Sequence, residues 1–499
     1  EILRCLVGSE MCIRDRNRYV CSILHTTDRI IEGVNDMTKA QRYFMEIKDK
    51  RVAFIGTGVS HLELIKLFLS KGIRCVVCDK KTEDEFDELI YEELSAKGCE
   101  FSLGEHYLDI IFNCDIVFRT PGMYYNDETI TKARKAGVAI TSEMETFFDL
   151  CPCKIYGVTG SDGKTTTTTL ISEMLKAEGK RVHIGGNIGK ALLPIVETMS
   201  DSDVAVVELS SFQLISMRQS PNVAAITNIT PNHLNVHGTM EEYISAKANL
   251  IAHQNGYSRT VLNEDNEETI KLADLVRGKL VTFSLKHPVQ TGTYLNDDGM
   301  LCYTEKGRTT EIVHKDDIRI PGIHNVANYL TAIAAVWGEV SIQSIVQVAK
   351  NFGGVEHRIE FVREIDGVKW YNDSIATSPT RVIAGLNSFN QKLIVIAGGY
   401  DKKIPFEPLA EPVNKNVKIL ILLGATADKI EKAVTESPLY PESGLKIVRV
   451  KTLEEAVLTA QKMAEKGDVV TLSPACASFD LYPNFEARGR HFKRLVNEL

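Results

Sequence analysis

The chain has 499 residues, 44% of them apolar and 25% charged, which excludes a disordered or fibrous protein and leaves room for roughly three domains at about 150 residues each. Lys+Arg number 58 against 66 Asp+Glu, and a net charge of -8 argues against holding nucleic acid or an anionic membrane through bulk charge. The 11 cysteines are odd in number and scattered, as expected for free thiols in a reducing cytosol, and the longest apolar runs, such as Ile419 to Leu423, are too short to span a bilayer.

Residues 1–16, EILRCLVGSEMCIRDR, show neither helical nor strand period and read as a non-native segment. The first block, 17–141, opens with an apolar strand from Val52 to Ile55, a glycine turn, an amphipathic helix, Gly72 and a second strand ending at Asp79. This is a βαβ unit. Cys75 and Cys78 fall within the second strand and face opposite sides, which speaks against redox or zinc use. A further strand, Asp115 to Phe118, ends in Thr120-Pro121-Gly122. Cys151-Pro152-Cys153 has no partner pair at metal spacing and reads as structural.

The second block, 142–354, opens with the strand IYGVTG and the loop Gly160-Ser161-Asp162-Gly163-Lys164-Thr165-Thr166, after which a helix begins. Glycines let such a loop point its N–H groups at phosphate oxygens, and the helix start adds positive potential. Lys164 can reach the outer phosphates and Thr165 can place a hydroxyl on Mg²⁺. The strict phosphate-loop pattern wants glycine where Val158 stands, so this is a shortened variant. Asp162 beside a polyphosphate must point away or join the metal shell.

The run Val204 to Val207 ends in Glu208, an acid delivered at a strand tip where α/β sheets bind ligands. Alone it reads as a solvated edge, but the following Ser210-Ser211-Phe212-Gln213 has no packing logic. The strand VAAITNI leads to Thr230-Pro231-Asn232-His233, and a single histidine there reads as structural or as a ligand. Lys247, by itself, reads as a solvated helix lysine. Asn325 and Asn328 share one face at a helix start, suited to capping or to the edge of adenine. The third block, 355–499, alternates KLIVIAGG, VKILILLG, a helix and VVTLSPA. The alternation predicts parallel sheets covered by helices.

With VELSSFQL, NDSIATSPT and LSPACASFDLYPNFEARGRHF added, the chain from about residue 47 onward resembles the Mur ligase family, ATP-dependent amide-forming enzymes of peptidoglycan synthesis. The resemblance implies an α/β protein of three domains: a Rossmann-like N-terminal domain, a central P-loop ATPase-type domain with a mainly parallel sheet, and a C-terminal Rossmann-like domain. It further implies ATP with two Mg²⁺ ions as cofactors, and UDP-N-acetylmuramoyl-L-alanine and D-glutamate as substrates. A cytoplasmic monomer that touches neither nucleic acid nor membrane goes with it.

Residue by residue, the resemblance assigns Lys164 and Thr165 to phosphate and metal, Glu208 to a Mg²⁺, His233 to a second metal and substrate phosphate, and Lys247 to a carbamylated lysine at that metal. Asn187 matches a substrate-binding asparagine. Asn325 and Asn328 match the adenine side, and Arg358 and Asp373 match residues that hold the nucleotide. Thr377, Lys402, Ser478, Phe479 and Phe485 match the region of the D-glutamate carboxylates. Val59, Ser60, Asp79, Lys80 and Lys81 match the uracil and diphosphate region.

Some positions depart from the family pattern. Ile375 replaces a usual lysine, Asn232 and Asn235 replace aspartates, and the Gly398-Gly399-Tyr400-Asp401-Lys402-Lys403 loop offers either lysine to substrate. Three rival readings exist. A nicotinamide site in the first block is disfavoured because His61 stands where a third glycine belongs. A sister Mur or folylpolyglutamate-type ligase is disfavoured by the C-terminal motifs. A non-catalytic relative is disfavoured by the joint presence of Lys164, Glu208, His233 and Lys247.

Overall fold

The computed structural model describes residues 37–499, without the side chains of Val59, Ser60 and Asn235. The segment 1–16 and the first part of the 17–141 block lie outside the described residues. The chain forms two compact units. One takes residues up to Lys154 together with Gly189–Asp203 and Ile215–Gln219; the other takes Ile155–Ile188, Val204–Leu214 and Ser220–Leu499.

The first unit is built on strands β1 (Arg51–Ile55), β2 (Arg74–Asp79), β3 (Glu100–Leu103), β4 (Ile116–Phe118) and β5 (Ala139–Thr141). They pair in the order β3-β2-β1-β4-β5, all parallel. The central strands are apolar on both faces because helices cover both. Ala53, Ile55, Val76 and Cys78 pack on one side. Phe54, Phe68 and Phe118 meet ring to ring on the other, at centroid distances of 5.1–5.4 Å. Cys78 lies in the first cluster and Cys75 does not, as the strand period requires.

The second unit holds two sheets. The larger is made from β6 (Lys154–Thr159), β7 (Val182–Gly186), β8 (Val204–Glu208), β9 (Val223–Ile226), β10 (Arg259–Asn263), β11 (Lys279–Ser284), β12 (Gly292–Leu295), β13 (Met300–Glu305) and β14 (Arg308–His314). Its order is β14-β13-β12-β11-β10-β9-β6-β8-β7. The β12-β13-β14 end is antiparallel, an addition that the strand–helix alternation does not announce.

In the helix Lys164–Ala177 the first lysine is followed by five threonines, which are poor helix formers. It is held instead by packing: Leu170, Ile171, Met174 and Leu175 bury against Tyr329, Leu330 and Ile333 of the helix Ile323–Val336. The smaller sheet takes β15 (Glu360–Ile365), β16 (Val368–Asn372), β17 (Leu393–Ala397), β18 (Val417–Leu422), β19 (Lys446–Arg449) and β20 (Val469–Leu472) in the order β15-β16-β20-β17-β18-β19. It is mixed, because β15 runs antiparallel to β16. Trp370 and Tyr371 serve the cores on its two opposite faces. Among the described residues no helix is long and apolar enough to cross a membrane.

Candidate active site

β6 is buried along nearly its whole length and delivers the loop after it at its C-terminal end, beside β9. Gly160 has φ +151° and Gly163 +78°. A Cβ on Gly160 would lie 1.9 Å from Thr227 Oγ1, and one on Gly163 2.3 Å from Asn328 Oδ1. Both positions therefore require glycine for backbone conformation and for space. The loop is braced from the next strand: Thr227 Oγ1 donates to the Asp162 carbonyl at 2.6 Å, and the Asp162 N–H donates to Asn228 Oδ1 at 2.9 Å. Ser161 Oγ donates to the Thr230 carbonyl at 2.9 Å and pairs with Tyr243 Oη at 3.0 Å. Asp162 is exposed, and its charge acts on both Lys164 and Lys247. Thr166 is buried and Thr165 half-buried at the helix start.

Two lysines converge on this loop. Lys164 Nζ donates to the carbonyls of Gly160 and Ser161, at 3.0 and 2.9 Å. Lys247 Nζ donates to the same Gly160 carbonyl at 2.7 Å. Lys247 is 1% exposed. It shares a buried helix face with Tyr243, Ala246, Leu250 and Ile251, so the solvated position that the sequence suggests is corrected. Burial, reinforced by the charge of Lys164, lowers its amine to about 7. Burial also lowers Lys164, partly offset by the acids Glu208 and Asp162.

Glu208 closes β8 as the alternation predicts, fully buried. Its Oε1 accepts the Asn187 amide at 2.8 Å, while Oε2 is buried with no hydrogen-bond partner. An unpartnered buried carboxylate oxygen suits a hard cation. A lysine amine offers such a cation nothing. The residues at Lys247 and His233 fit a second metal only if Lys247 carries a carboxylate.

His233 is exposed, sits at φ +56° and meets Phe212 edge-on at 5.1 Å. Partial desolvation lowers its imidazole, and the charges of Lys164 and Lys247 lower it further. Phe212 in turn stacks on His237 at 5.1 Å, and His237 pairs with Ser211 Oγ at 2.9 Å. This accounts for the serine–phenylalanine run after Glu208.

Asn328 Oδ1 accepts from Thr167 Oγ1 at 3.3 Å, its amide donates to Asn325 Oδ1 at 3.1 Å, and the Asn325 amide donates to the Pro321 carbonyl at 2.6 Å. Both asparagines are buried, and these bonds brace the loop's helix. The guanidinium of Arg358 is lowered by burial and then by Arg381, and is raised by Glu208, Asp373 and Asp162, so it belongs to the same charge cluster. Asp373 is buried, accepts from Ser473 Oγ at 2.9 Å, and is pushed up to about 7 by burial.

In the C-terminal sheet, Lys402 Nζ donates to Thr377 Oγ1 at 3.3 Å, and the exposed Phe479 meets Tyr400 edge-on at 5.9 Å. Ser478 is buried, and Phe485 starts the last helix against His357 at 5.9 Å. In the other unit, Asp79 ends β2 and its carboxylate accepts the Lys81 N–H at 3.1 Å; Lys80 and Lys81 are exposed. Val59 and Ser60 begin the helix after β1, and their side chains lie outside the described residues.

The chain matches the Mur ligase middle domain over residues 158–336, the Mur ligase glutamate ligase domain over 357–476 and the MurD-like N-terminal domain over 50–142. It is 50% identical over 464 residues, 93% of this chain and 99% of the relative, to the UDP-N-acetylmuramoylalanine–D-glutamate ligase of Acetivibrio thermocellus. The chain belongs to the Mur ligase family. The Clostridium acetobutylicum protein of the same name is 49% identical over 91% of this chain and 97% of its own length. Among solved structures, the UDP-N-acetylmuramate–alanine ligase of Thermotoga maritima matches with a TM-score of 0.53 at 18% identity, covering 90% of this chain and 99% of that one. A UDP-N-acetylmuramoyl-L-alanyl-D-glutamate–2,6-diaminopimelate ligase matches at 0.51 and 19%, over 85% of this chain and 86% of that one. These two structures carry the three-domain Mur ligase fold.

Several residues of this Mur ligase site escape a reading of the sequence. Arg488 is buried, and its guanidinium donates to the carbonyls of Ser374, Cys476 and Ala477 at 2.9–3.2 Å, tying two loops together. Arg381 donates to the Ile375 carbonyl at 3.1 Å, and its charge acts on Arg358 and Asp373, so a cation stands beside the position where the family lysine is missing. Tyr243 lies under Lys247 at 4.7 Å. An arginine in a helix and a tyrosine in a helix carry no signal until folding supplies their neighbours.

Proposed function

We propose that this chain is the ATP-dependent ligase that joins D-glutamate to UDP-N-acetylmuramoyl-L-alanine in peptidoglycan precursor synthesis. The observation that carries this reading is about 50% identity along nearly the whole length to relatives that bear that activity in their names. The meeting of Lys164, Lys247, Glu208 and His233 around one phosphate-type loop supports it. The division at 141/142 and 354/355 and a monomer working in the cytoplasm go with the same reading, as does the net charge, which favours neither nucleic acid nor membrane.

A carboxylate is a poor electrophile, so its oxygen attacks the γ-phosphate of ATP, giving an acyl phosphate and ADP. Lys164 and the loop N–H groups of Gly160–Thr166 bind the phosphates and stabilise charge that moves during transfer. Asn325 and Asn328 hold the loop's helix on the adenine side, and Arg358 and Asp373 hold the nucleotide from the C-terminal sheet. Thr165 and Glu208 would hold one Mg²⁺, and His233 with a carbamylated Lys247 a second. When bound, these ions neutralise phosphate charge and polarise the transferring group.

An amine near 7 is neutral often enough to add to CO₂: the Nζ–C bond forms, one amine proton leaves, and a carboxylate results. The D-glutamate amine then attacks the acyl carbon, and the tetrahedral intermediate collapses to amide and phosphate. Lys402 or Lys403, with Thr377, Ser478, Phe479 and Phe485, would orient D-glutamate by charge-assisted bonds and contact. Val59, Ser60, Asp79, Lys80 and Lys81 would bind the uracil and diphosphate end of the UDP-sugar substrate; Asn187, by the same resemblance, is a substrate-binding asparagine of the central domain. Closure of the third domain over the central one excludes water from the acyl phosphate.

Phosphate release with ATP, UDP-N-acetylmuramoyl-L-alanine and a panel of amino acids tests the proposal. Release that depends on D-glutamate is expected, and release with another amino acid instead would overturn it. Single-turnover trapping that yields no acyl phosphate would overturn the order of steps.

A further inference from the structure

Eight cysteines fall among the described residues, all with free thiols. Seven are buried, and only Cys151 is half-exposed. Burial pushes Cys78 and Cys99 up to about 12 and Cys476 to about 11, and raises Cys75, Cys114 and Cys302 as well. A thiol held protonated in this way is a poor nucleophile.

Cys151-Pro152-Cys153 behaves differently. The helix Glu143–Leu150 ends at Cys151, whose backbone is extended at φ -61° and ψ 123°. A residue before proline is confined to that region, and proline fixes its own φ. In an extended chain, side chains two residues apart point the same way. The result is that Cys151 Sγ lies 3.5 Å from Cys153 Sγ, and 3.6 Å from the Cys153 carbonyl oxygen. The backbone already sets the two sulfurs in contact, so bond formation requires only a local approach of neighbouring side chains. The neighbouring Cys153 thiol lowers Cys151 most, and Lys39 adds a smaller pull. Cys153 is raised, first by its hydrogen bond to Cys151 and then by burial. Of two sulfurs 3.5 Å apart, Cys151 is the half-exposed one and carries the greater thiolate character, while Cys153 is buried and keeps its proton more firmly.

We propose that Cys151 and Cys153 form a reversible dithiol–disulfide site, oxidised by low-molecular-weight disulfides. The Cys151 thiolate attacks one sulfur of the oxidant, forming a mixed disulfide and expelling one thiolate. Cys153 then loses its proton and attacks Cys151 Sγ, forming the Cys151–Cys153 bond and expelling the second thiolate. Two thiols become one disulfide, the oxidant becomes two thiols, and the two protons end on the expelled sulfurs. A ring closed across a single intervening residue is strained, and a strained disulfide is the labile, reducible kind. The staple would join the end of the helix Glu143–Leu150 to the start of β6, the strand that leads into Gly160.

The test is peptide-resolved mass spectrometry on the full chain. The chain is equilibrated with oxidised glutathione, its free thiols are then blocked with a maleimide, and it is digested. The peptide spanning residues 151–153 is expected to lose the mass of two hydrogens and both maleimide additions, and to recover both after dithiothreitol. Cys153→Ser is expected to stop at a glutathione adduct on Cys151, and Cys151→Ser to take up none at residue 153. Two maleimide-blocked sulfurs in the unsubstituted chain, a glutathione adduct that never closes, or a bond from Cys151 to any other cysteine would each overturn the proposal. The unsubstituted chain alone decides the matter if either variant fails to fold.

Discussion

The chain turns from a strand through glycine into a helix at two comparable places, and the two turns are built differently. After β1, a Cβ on Gly56 would come no nearer than 3.9 Å to Thr120, and one on Gly58 would meet nothing within 4 Å. The polar residue of that turn, His61, is 1% exposed, with Nδ1 at 3.1 Å from the Gly56 carbonyl and its imidazole lowered by burial. After β6, both glycines are crowded by neighbouring side chains, and a lysine begins the helix. A glycine turn on a parallel sheet is therefore common to both sites. What marks the second for phosphate chemistry is that its backbone is fixed by packing and a cation stands at the helix start.

The contrast is most sharply tested at Lys164. Lys164→Ala is expected to lower ligation by about a thousandfold or more while the chain still folds and unfolds cooperatively in urea. Normal product formation would remove the distinction between the turns. The next largest effect concerns Lys247. Burial lowers its amine to about 7, so the neutral form it needs for carbamylation dominates above that pH and is lost below it. The ligation rate is expected to fall by about tenfold per pH unit on the acid side of that value. Added bicarbonate should raise the rate, and a flat pH profile with no bicarbonate response would count against a carbamylated lysine.

Smaller effects read the glycines directly. Gly163→Ala forces φ +78° on a residue with a Cβ and should cost about 1–2 kcal/mol from backbone conformation alone, before any clash with Asn328, in urea unfolding. Gly58→Ala should change stability by less than about 0.5 kcal/mol. Equal costs at the two positions would mean that their packing does not differ as described.

Much of this was legible before folding. The strand–helix alternation announces three α/β sheets, and the loop 160–166 announces itself through glycines, Lys164 and the preceding apolar strand. The antiparallel β12-β13-β14 end was not legible, because short strands such as Gly292–Leu295 lack a long apolar run. The burial of Lys247 was not legible either: a lysine at a helix position looks the same whether that face meets water or Gly160. Arg488 and Arg381 act on partners more than a hundred and a few residues away respectively, and only the fold joins them. The two cysteines around Pro152 were visible as a pair, but their common direction depends on the extended backbone at Cys151.

The carbonyl of Gly160 accepts from Lys164 and Lys247 together. The loop's own main-chain oxygen is thus the shared partner of two side-chain nitrogens, one from the helix start and one from a buried helix face. A polyphosphate held by Lys164, as proposed, would exchange places with that oxygen, and each charge-assisted bond given up would subtract about 1.5–3 kcal/mol from the attraction gained. Chemistry that removes the positive charge from Lys247 leaves Lys164 as the one charged donor of the pair on that oxygen.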